Sequence, residues 1–440
     1  MKHTTTILLI AVCALLVGVL WFDDSSQPTK FFGTLQDNEA RKEINILFWG
    51  TPIDNPAMKF FQEGCNDFMA KNPSIKVEIE YYSTEQYKSK LPVLMAANQT
   101  PDIFMTWCGA FLENFVKAGK VAPLNSYINE SPEWKSTFPR NGFDLLTYDK
   151  DVYGVPTVHV FALLFYNKQV FSRLNIDPPT TNSELLAISR ILRKHHYIPI
   201  AFGNKEPWVG GMLAGLIQER LAGKDLLAEV RSGNATWLDQ TFLDTGNTLQ
   251  QWVELGVFPE NPNSIDYQTT IDLFQDGKAA MLVMGSWYLQ YYLSHADDVD
   301  FALGVTSFPH FSKDNLMSRR LMGQPDMNLA IGAHSKEKEA SFELIKFLTT
   351  PANQYKLMTE VGLMPAINVP EDTLDLPAEV LTLNKMLKES EALFIFPDIG
   401  LGGQTGLEFN HSIQRLIAGE DVTTTFQQLQ TQWLNERGNR

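Results

Sequence analysis

Four tryptophans stand where the pattern of the chain leaves a strand. Trp49 closes the apolar run Ile44-Asn45-Ile46-Leu47-Phe48-Trp49, and Trp107 follows Pro101-Asp102-Ile103-Phe104-Met105-Thr106. Trp208 comes just after Ile198-Pro199-Ile200-Ala201-Phe202, and Trp287 follows the run from Ala279 to Met284. Thr51 and Asp54 lie in the turn after Trp49, and Glu206 precedes Trp208. An indole plane takes the apolar C–H face of a ring, while carboxylates and amides bind the hydroxyls at its rim. Such a set at the carboxyl ends of strands could hold a sugar. The alternative for each Trp is a place in the core, and Asp54 would serve equally as a helix cap.

Residue sets for catalysis are missing. The chain has no H-E-x-x-H, C-x-x-C, P-loop or G-x-S-x-G. His195 and His196 are adjacent, so their side chains diverge on a helix, and no metal site is expected. Neither a cofactor nor a catalytic residue is assigned. Paired carboxylates for glycoside hydrolysis could still hide among the 51 acids, because their separation is spatial.

The elements that carry these residues read as alternating strands and helices. After strand 44–49, Gly50-Thr51-Pro52 breaks the chain, and Asp54 or Asn55 caps a helix with Pro56 at its first position. Phe61, Cys65, Phe68 and Met69 give that helix one buried face. Ile75 to Tyr82 alternates as a strand, a helix follows near Tyr87 to Ala97, and strand 101–105 leads to a helix ending near Ala118. Strand–helix–strand–helix–strand predicts a parallel sheet. A break at Tyr153-Gly154-Val155-Pro156 is followed by a strand at Phe161 to Tyr166. A capping box at Thr181 and Glu184 then opens a helix before strand 198–202, so a second α/β domain begins. Its further strands are Ala279 to Met284 and Val299 to Val305. Gly285 allows close approach of the chain, and Ser286 is placed to cap the helix that carries Trp287. A strand at Met327 to Gly332 precedes helices at Lys336 to Leu348 and Pro351 to Val361, and the C-terminus is helical over 407–418 and 422–434.

At 440 residues the chain has material for two or three domains, and its net charge of −15 disfavours nucleic acid as a partner. Lys2 and His3 precede an apolar run from Ile7 to Phe22, which Asp23-Asp24-Ser25-Ser26 ends. Residues 1–22 are read as a signal peptide or N-terminal anchor, and 23–43 as a flexible spacer. The bulk of the chain is therefore exported, periplasmic or at the cell surface. Cys65 and Cys108 are read as two buried free thiols, with a disulfide as the alternative. Trp134, Trp237, Trp252 and Trp433 are read as packing residues.

Several phrases in order carry a family resemblance. They are Asn72-Pro73-x-Ile75-x-Val77, Pro101-Asp102-Ile103-Phe104, and Val116-x-Ala118-Gly119-Lys120-Val121-Ala122-Pro123-Leu124. Tyr153-Gly154-Val155-Pro156, Leu164-Phe165-Tyr166-Asn167-Lys168 and Pro178-Pro179-Thr180-Thr181 come next. Gly277-Lys278-Ala279-Ala280-Met281 with Gly285-Ser286-Trp287, then Lys336-Glu337-Lys338-Glu339-Ala340 and Phe347-Leu348-Thr349-Thr350-Pro351, complete the set. From Ile44 onward the chain resembles the family-1 extracellular solute-binding proteins of bacterial ABC importers, which include the maltodextrin-binding proteins. The resemblance implies a two-lobed α/β fold of the periplasmic-binding-protein type II kind. Each lobe would be a mostly parallel sheet flanked by helices, with the ligand in the cleft between them. Lobe one would span 44–156 plus 332–368 and lobe two 159–328 plus 372–440. Crossings would lie near Pro156-Thr157-Val158, Leu329-Ala330-Ile331 and Asn368-Val369-Pro370. The implied role is a monomeric receptor that passes a carbohydrate to the permease subunits of an ABC importer. The same fold could instead report its ligand to a membrane kinase or chemoreceptor, and an enzyme acting on polysaccharide is a third reading.

Carried over position by position, Trp107 and Trp287 match aromatic contacts of the family, and Glu206-Pro207-Trp208 resembles its Glu-Pro-aromatic contact. Thr51 and Asp54 occupy the turn of the first-lobe polar contacts. Where the maltodextrin-binding proteins carry Asp-Arg after the matching Trp, this chain has Cys108-Gly109-Ala110. Their crossing-strand Glu is replaced near His159 and Val160, and His159 would face ligand or rest as a satisfied histidine between the lobes. Asp326 would reach the cleft or end a loop. No C-terminal aromatic matches clearly, though Phe396, Asp398, Glu408 and Phe409 lie in that region, and Glu408 joins the expected contacts. These departures leave a carbohydrate-like solute rather than a glucan as the expectation.

Overall fold

The structure is a computed structural model that describes residues 41–53, 55–296, 298–311, 320–369, 376–390 and 392–438. The N-terminal segment 1–22, nearly all of the 23–43 spacer, Asp54 and Pro370 lie outside the described residues.

Three βα steps open the chain. Strand β1 (Lys42–Trp49) leads to helix Pro56–Lys71, strand β2 (Ile75–Tyr82) to helix Thr84–Ala96, and strand β3 (Ile103–Thr106) to helix Gly109–Lys117. β1 runs parallel to both β2 and β3, as crossover helices require. Buried between its neighbours, β1 is apolar over Ile44, Ile46, Leu47 and Phe48, whereas the edge strand β2 alternates with Lys76, Glu78 and Glu80. Asn55 caps the first helix, its side chain accepting from the backbone N–H groups of Ala57 (3.0 Å) and Met58 (3.4 Å). Met58, Phe61, Cys65 and Phe68 bury that helix's inner face.

After a small hairpin of β4 (Thr147–Tyr148) and β5 (Asp151–Val152), the ten-residue strand β6 (Val158–Asn167) forms the centre of a second sheet. Strands β7 (Ile198–Ala201), β8 (Ala279–Gly285), β9 (Leu303–Thr306) and β10 (Arg320–Asp326) follow. β6 is antiparallel to β8, β9 and β10, while β7 and β8 are parallel, so this sheet is mixed rather than mostly parallel. Strand 299–305 of the sequence reading is displaced to 303–306, and β10 was not foreseen.

The chain changes sheets at one narrow place. β10 pairs Asp326 with Val158 in the second sheet, and β11 (Asn328–Ile331) pairs Asn328 with Thr106 in the first. Met327 between them has φ 48°, a left-handed conformation uncommon for a side-chain-bearing residue. Thr157 donates its hydroxyl to the Met327 carbonyl at 3.0 Å, and Val155 bridges to Leu329. Two strands thus cross side by side. β12 (Met364–Pro365) returns to β6 opposite His159 and Val158, and β13 (Ala392–Phe394) pairs with β10. Residues from Arg41 onward form one contact unit.

Cys65 and Cys108 are free and buried; burial pushes the Cys65 thiol up to about 12 and raises Cys108 further. Trp134, Trp237, Trp252 and Trp433 are buried packing residues.

Candidate ligand-binding site

The first sheet brings Trp49 and Trp107 together. Their rings stack with centroids 4.1 Å apart and planes 12° from parallel. Tyr87 meets both edge-on, at 5.3 Å and 6.0 Å, and its hydroxyl donates to the Met105 carbonyl. Phe111 closes another edge of Trp107 at 5.0 Å. The pair is consequently 7% and 6% exposed. Lys88 holds its ammonium over the Trp107 ring, 5.5 Å from the centroid. Thr51 is half-buried in the turn, its carbonyl accepting from the Asn55 N–H.

The second sheet presents a more open group. Trp287 lies two residues past the end of β8 and folds its ring back over Gly285, where a Cβ would fall 2.1 Å from the indole. Gly285 therefore provides the close approach its sequence position suggested. Ser286 does not cap: its hydroxyl accepts from the Phe161 N–H of β6 at 3.3 Å, and Trp287 occupies the cap position. The indole N–H donates to the Tyr267 hydroxyl at 3.2 Å. Trp208 lies 5.9 Å from Trp287 and 5.7 Å from Tyr267, and Phe396 lies 5.8 Å from Trp287. Glu206 accepts from the Tyr267 backbone N–H at 2.8 Å, which fixes one carboxylate oxygen. Trp208 and Trp287 are half-buried, with ring surface to offer.

Gly285→Ala must push the Trp287 ring aside. Titration calorimetry with a bound solute is expected to show a loss of about tenfold in affinity, since one mispositioned aromatic costs roughly 1–2 kcal/mol. Affinity within twofold of wild type would detach Trp287 from the site.

Between the two aromatic groups lies a charged seam. Lys88 is 3.4 Å from Asp398, which follows Phe396 by two residues and accepts from the Asn410 side-chain amide at 3.3 Å. Asp326, at the sheet crossing, accepts from the Met327 N–H at 2.7 Å. Burial pushes its carboxyl up to about 7, the Asp398 charge adds to this, and the Met327 bond and Lys88 oppose it. His159 sits on β6 opposite Pro325; burial lowers it to about 4, so its imidazole is neutral at physiological pH, and Nδ1 has no hydrogen-bond partner.

The structure therefore gathers Trp49 with Trp107, Glu206 with Trp208 and Trp287, and Asp326 with Lys88 and Asp398. Glu408 stands apart. It pairs with Arg415 at 2.8 Å on helix Gly403–Ile417. Two residues along a helix turn about 200°, so Glu408 faces away from Asn410 and the Asp398 side. Tyr87, Lys88 and Tyr267 were not foreseen; their only sequence signal is an amphipathic helix or helix start next to a strand that bears a Trp. Among the described residues, no group of three or more His, Cys, Asp or Glu could hold a metal ion. Two surface cavities, of about 650 and 590 Å³, involve none of these aromatic residues.

Residues 53–355 match the family model for bacterial extracellular solute-binding proteins. An uncharacterized ABC transporter extracellular-binding protein of Pyrococcus horikoshii is 25% identical over 411 residues, covering 90% of this chain and 87% of its own length. The maltotriose-binding protein of Pyrococcus abyssi is 24% identical over 329 residues, covering 73% and 66%. A structure from work on xylan utilization by the thermophilic bacterium Caldanaerobius polysaccharolyticus superposes with a TM-score of 0.81 at 26% identity, covering 89% of this chain and 99% of its own.

Proposed function

The chain belongs to the bacterial extracellular solute-binding proteins, and from that premise we propose that it binds a sugar or oligosaccharide between two lobes and delivers it to the permease of an ABC importer. The observation that carries the ligand class is the half-buried pair Trp208 and Trp287, held 5.9 Å apart at the starts of the helices that follow β7 and β8, with Tyr267 and Glu206 beside them. Two tilted indoles offer apolar faces to successive sugar rings, and the neighbouring phenol and carboxylate serve the hydroxyls. The maltotriose-binding relative and the xylan-utilization structure support the same class.

Lobe one would comprise 44–156 with 332–368, and lobe two 159–328 with 372–440. Closing on ligand is a population shift, so groups from both lobes must favour the liganded form. Trp49, Trp107 and Lys88 would act from the first, Trp208, Trp287 and Asp398 from the second. The protein would act as a monomer and leave its ligand chemically unchanged. Belonging to an extracellular family makes it an exported protein, and residues 1–22 are its proposed export segment or anchor.

A thermal-shift screen of the full-length chain in mild detergent tests this reading. Xylo-, malto- and chito-oligosaccharides are compared with amino acids, polyamines and organic phosphates. A ligand present at 100 times its Kd stabilises the folded state by about 2.7 kcal/mol. A rise of several degrees with one carbohydrate class, and recovery of that sugar intact, is the expected result. Silence with every sugar and a rise with a control solute would sink the carbohydrate assignment.

A further inference from the structure

We propose that Lys88 and Asp398 form a polar pair spanning the cleft that contacts the ligand's hydroxyls and selects uncharged sugars over sugars bearing a carboxylate. This rests on the carbohydrate reading above and adds which residues join the two halves of the site and which ligand charge they refuse.

The two residues come from different parts of the fold. Lys88 lies on helix Thr84–Ala96, between strands β2 and β3 of the first sheet. Asp398 lies in helix Pro397–Leu401, which packs on helices Gly403–Ile417 and Pro207–Ala222, the latter following β7 of the second sheet, and also against helix Gly109–Lys117 of the first. They meet at 3.4 Å with side chains only 14% and 15% exposed. The meeting depends on close backbone approach. Gly402 has φ +63°, and a Cβ there would fall 2.6 Å from the Ala110 Cβ; Gly109, also at φ +63°, faces the Ile399 carbonyl. Small residues after Trp107 let the start of the C-terminal helices reach the first-sheet half.

The pair also connects both aromatic groups. Lys88 Nζ lies over Trp107, and Phe396, two residues before Asp398, lies 5.8 Å from Trp287. Trp107 and Phe396 are themselves 6% exposed, so they brace the pair, and a ring seated on the half-buried Trp287 would present its hydroxyls toward an ammonium and a carboxylate. A hydroxyl accepts from the one and donates to the other, so it can enter between them without leaving either charge unmatched. The four-carbon stem of Lys88 lets the ammonium slide toward the ring edge while staying near Asp398. A ligand carboxylate meets a different field. It would compete with Asp398 and with Glu85, which lies 3.6 Å from the ammonium, for Lys88, and leave Asp398 short of its cation. An ionised group in a largely buried site without its partner is costly.

The test measures affinity by titration calorimetry for a neutral oligosaccharide that binds the wild-type chain and for its uronate-bearing counterpart. Lys88→Gln, Asp398→Asn, Lys88→Arg and the double variant Lys88→Gln/Asp398→Asn are compared, with melting temperatures as a check on folding. The wild type is expected to bind the uronate form at least tenfold more weakly. Each neutralising variant should lose about tenfold for the neutral sugar, Lys88→Arg should retain most of it, and Asp398→Asn should narrow the gap to the uronate. The double variant should lose less than the product of the single losses, because one coupled pair is removed twice. Single variants within twofold of wild type, or losses that simply multiply, would overturn the pair. A wild type that binds the uronate form as tightly as the neutral one, or better, would overturn the selection, whereas one that binds neither sugar would instead overturn the carbohydrate reading itself.

Discussion

Replacing Trp287 by Ala is expected to weaken sugar binding by roughly 30- to 1,000-fold, or about 2–4 kcal/mol. The ring would be the most direct platform of the proposed site. It lies two residues past the end of β8, is braced over Gly285, and is oriented by its N–H bond to the Tyr267 hydroxyl. An aromatic side chain brings about 150–250 Å² of surface to a contact, and here part of that area remains exposed. Trp107 is a poorer probe. It is 6% exposed and stacked on Trp49, so truncation there would remove about 3–5 kcal/mol of packing and confuse folding with binding. Trp287→Phe keeps a plane but loses the indole N–H, and should retain most of the affinity. Calorimetry on both variants decides the matter: Trp287→Ala within threefold of wild type removes this residue from the ligand contacts.

What the sequence revealed of this site follows the range of the forces involved. Strand-end tryptophans were legible because strand, breaker and helix start are neighbours in the chain, as at Trp49-Gly50 and Gly285-Ser286-Trp287. The helix cap at Asn55 and the capping box at Thr181 and Glu184 were legible for the same reason. Ser286 was misread because a bond to Phe161, 125 residues away, claims its hydroxyl. Lys88 and Asp398 are 310 residues apart, and nothing local to either announces the other. β10 escaped because Gly323 and Pro325 interrupt its strand pattern; its place is fixed by pairing with β6. The mixed order of the second sheet likewise depends on the direction in which distant strands return. Glu408 was selected by its region, whereas its helical phase, two residues from Asn410, decides where it points.

Asp326→Asn should make the protein more stable at neutral pH and leave it unchanged in acid. The wild-type carboxyl titrates at about 7 in the folded chain against an ordinary 3.8, a gap of roughly three units. Between those values the folded chain holds a proton that the unfolded chain has released. Stability therefore falls as pH rises through that window, by at most about 4 kcal/mol at 1.36 kcal/mol per unit. The Asn side chain keeps an oxygen to accept from the Met327 N–H and carries no charge to bury. The variant's melting temperature should match wild type near pH 4 and exceed it by roughly 2–6 °C at pH 8. His159 makes the contrast sharper. Its folded value of about 4 lies below the ordinary 6.5, so the unfolded chain binds the extra proton there and stability rises with pH over 4 to 6.5. In the wild type the two slopes oppose each other across that range. In Asp326→Asn the rise from His159 should stand alone, giving a curve that climbs from pH 4 to 6.5 and then levels. Melting curves for the two chains that differ by a constant from pH 4 to 9 would show that Asp326 carries no excess proton in the fold.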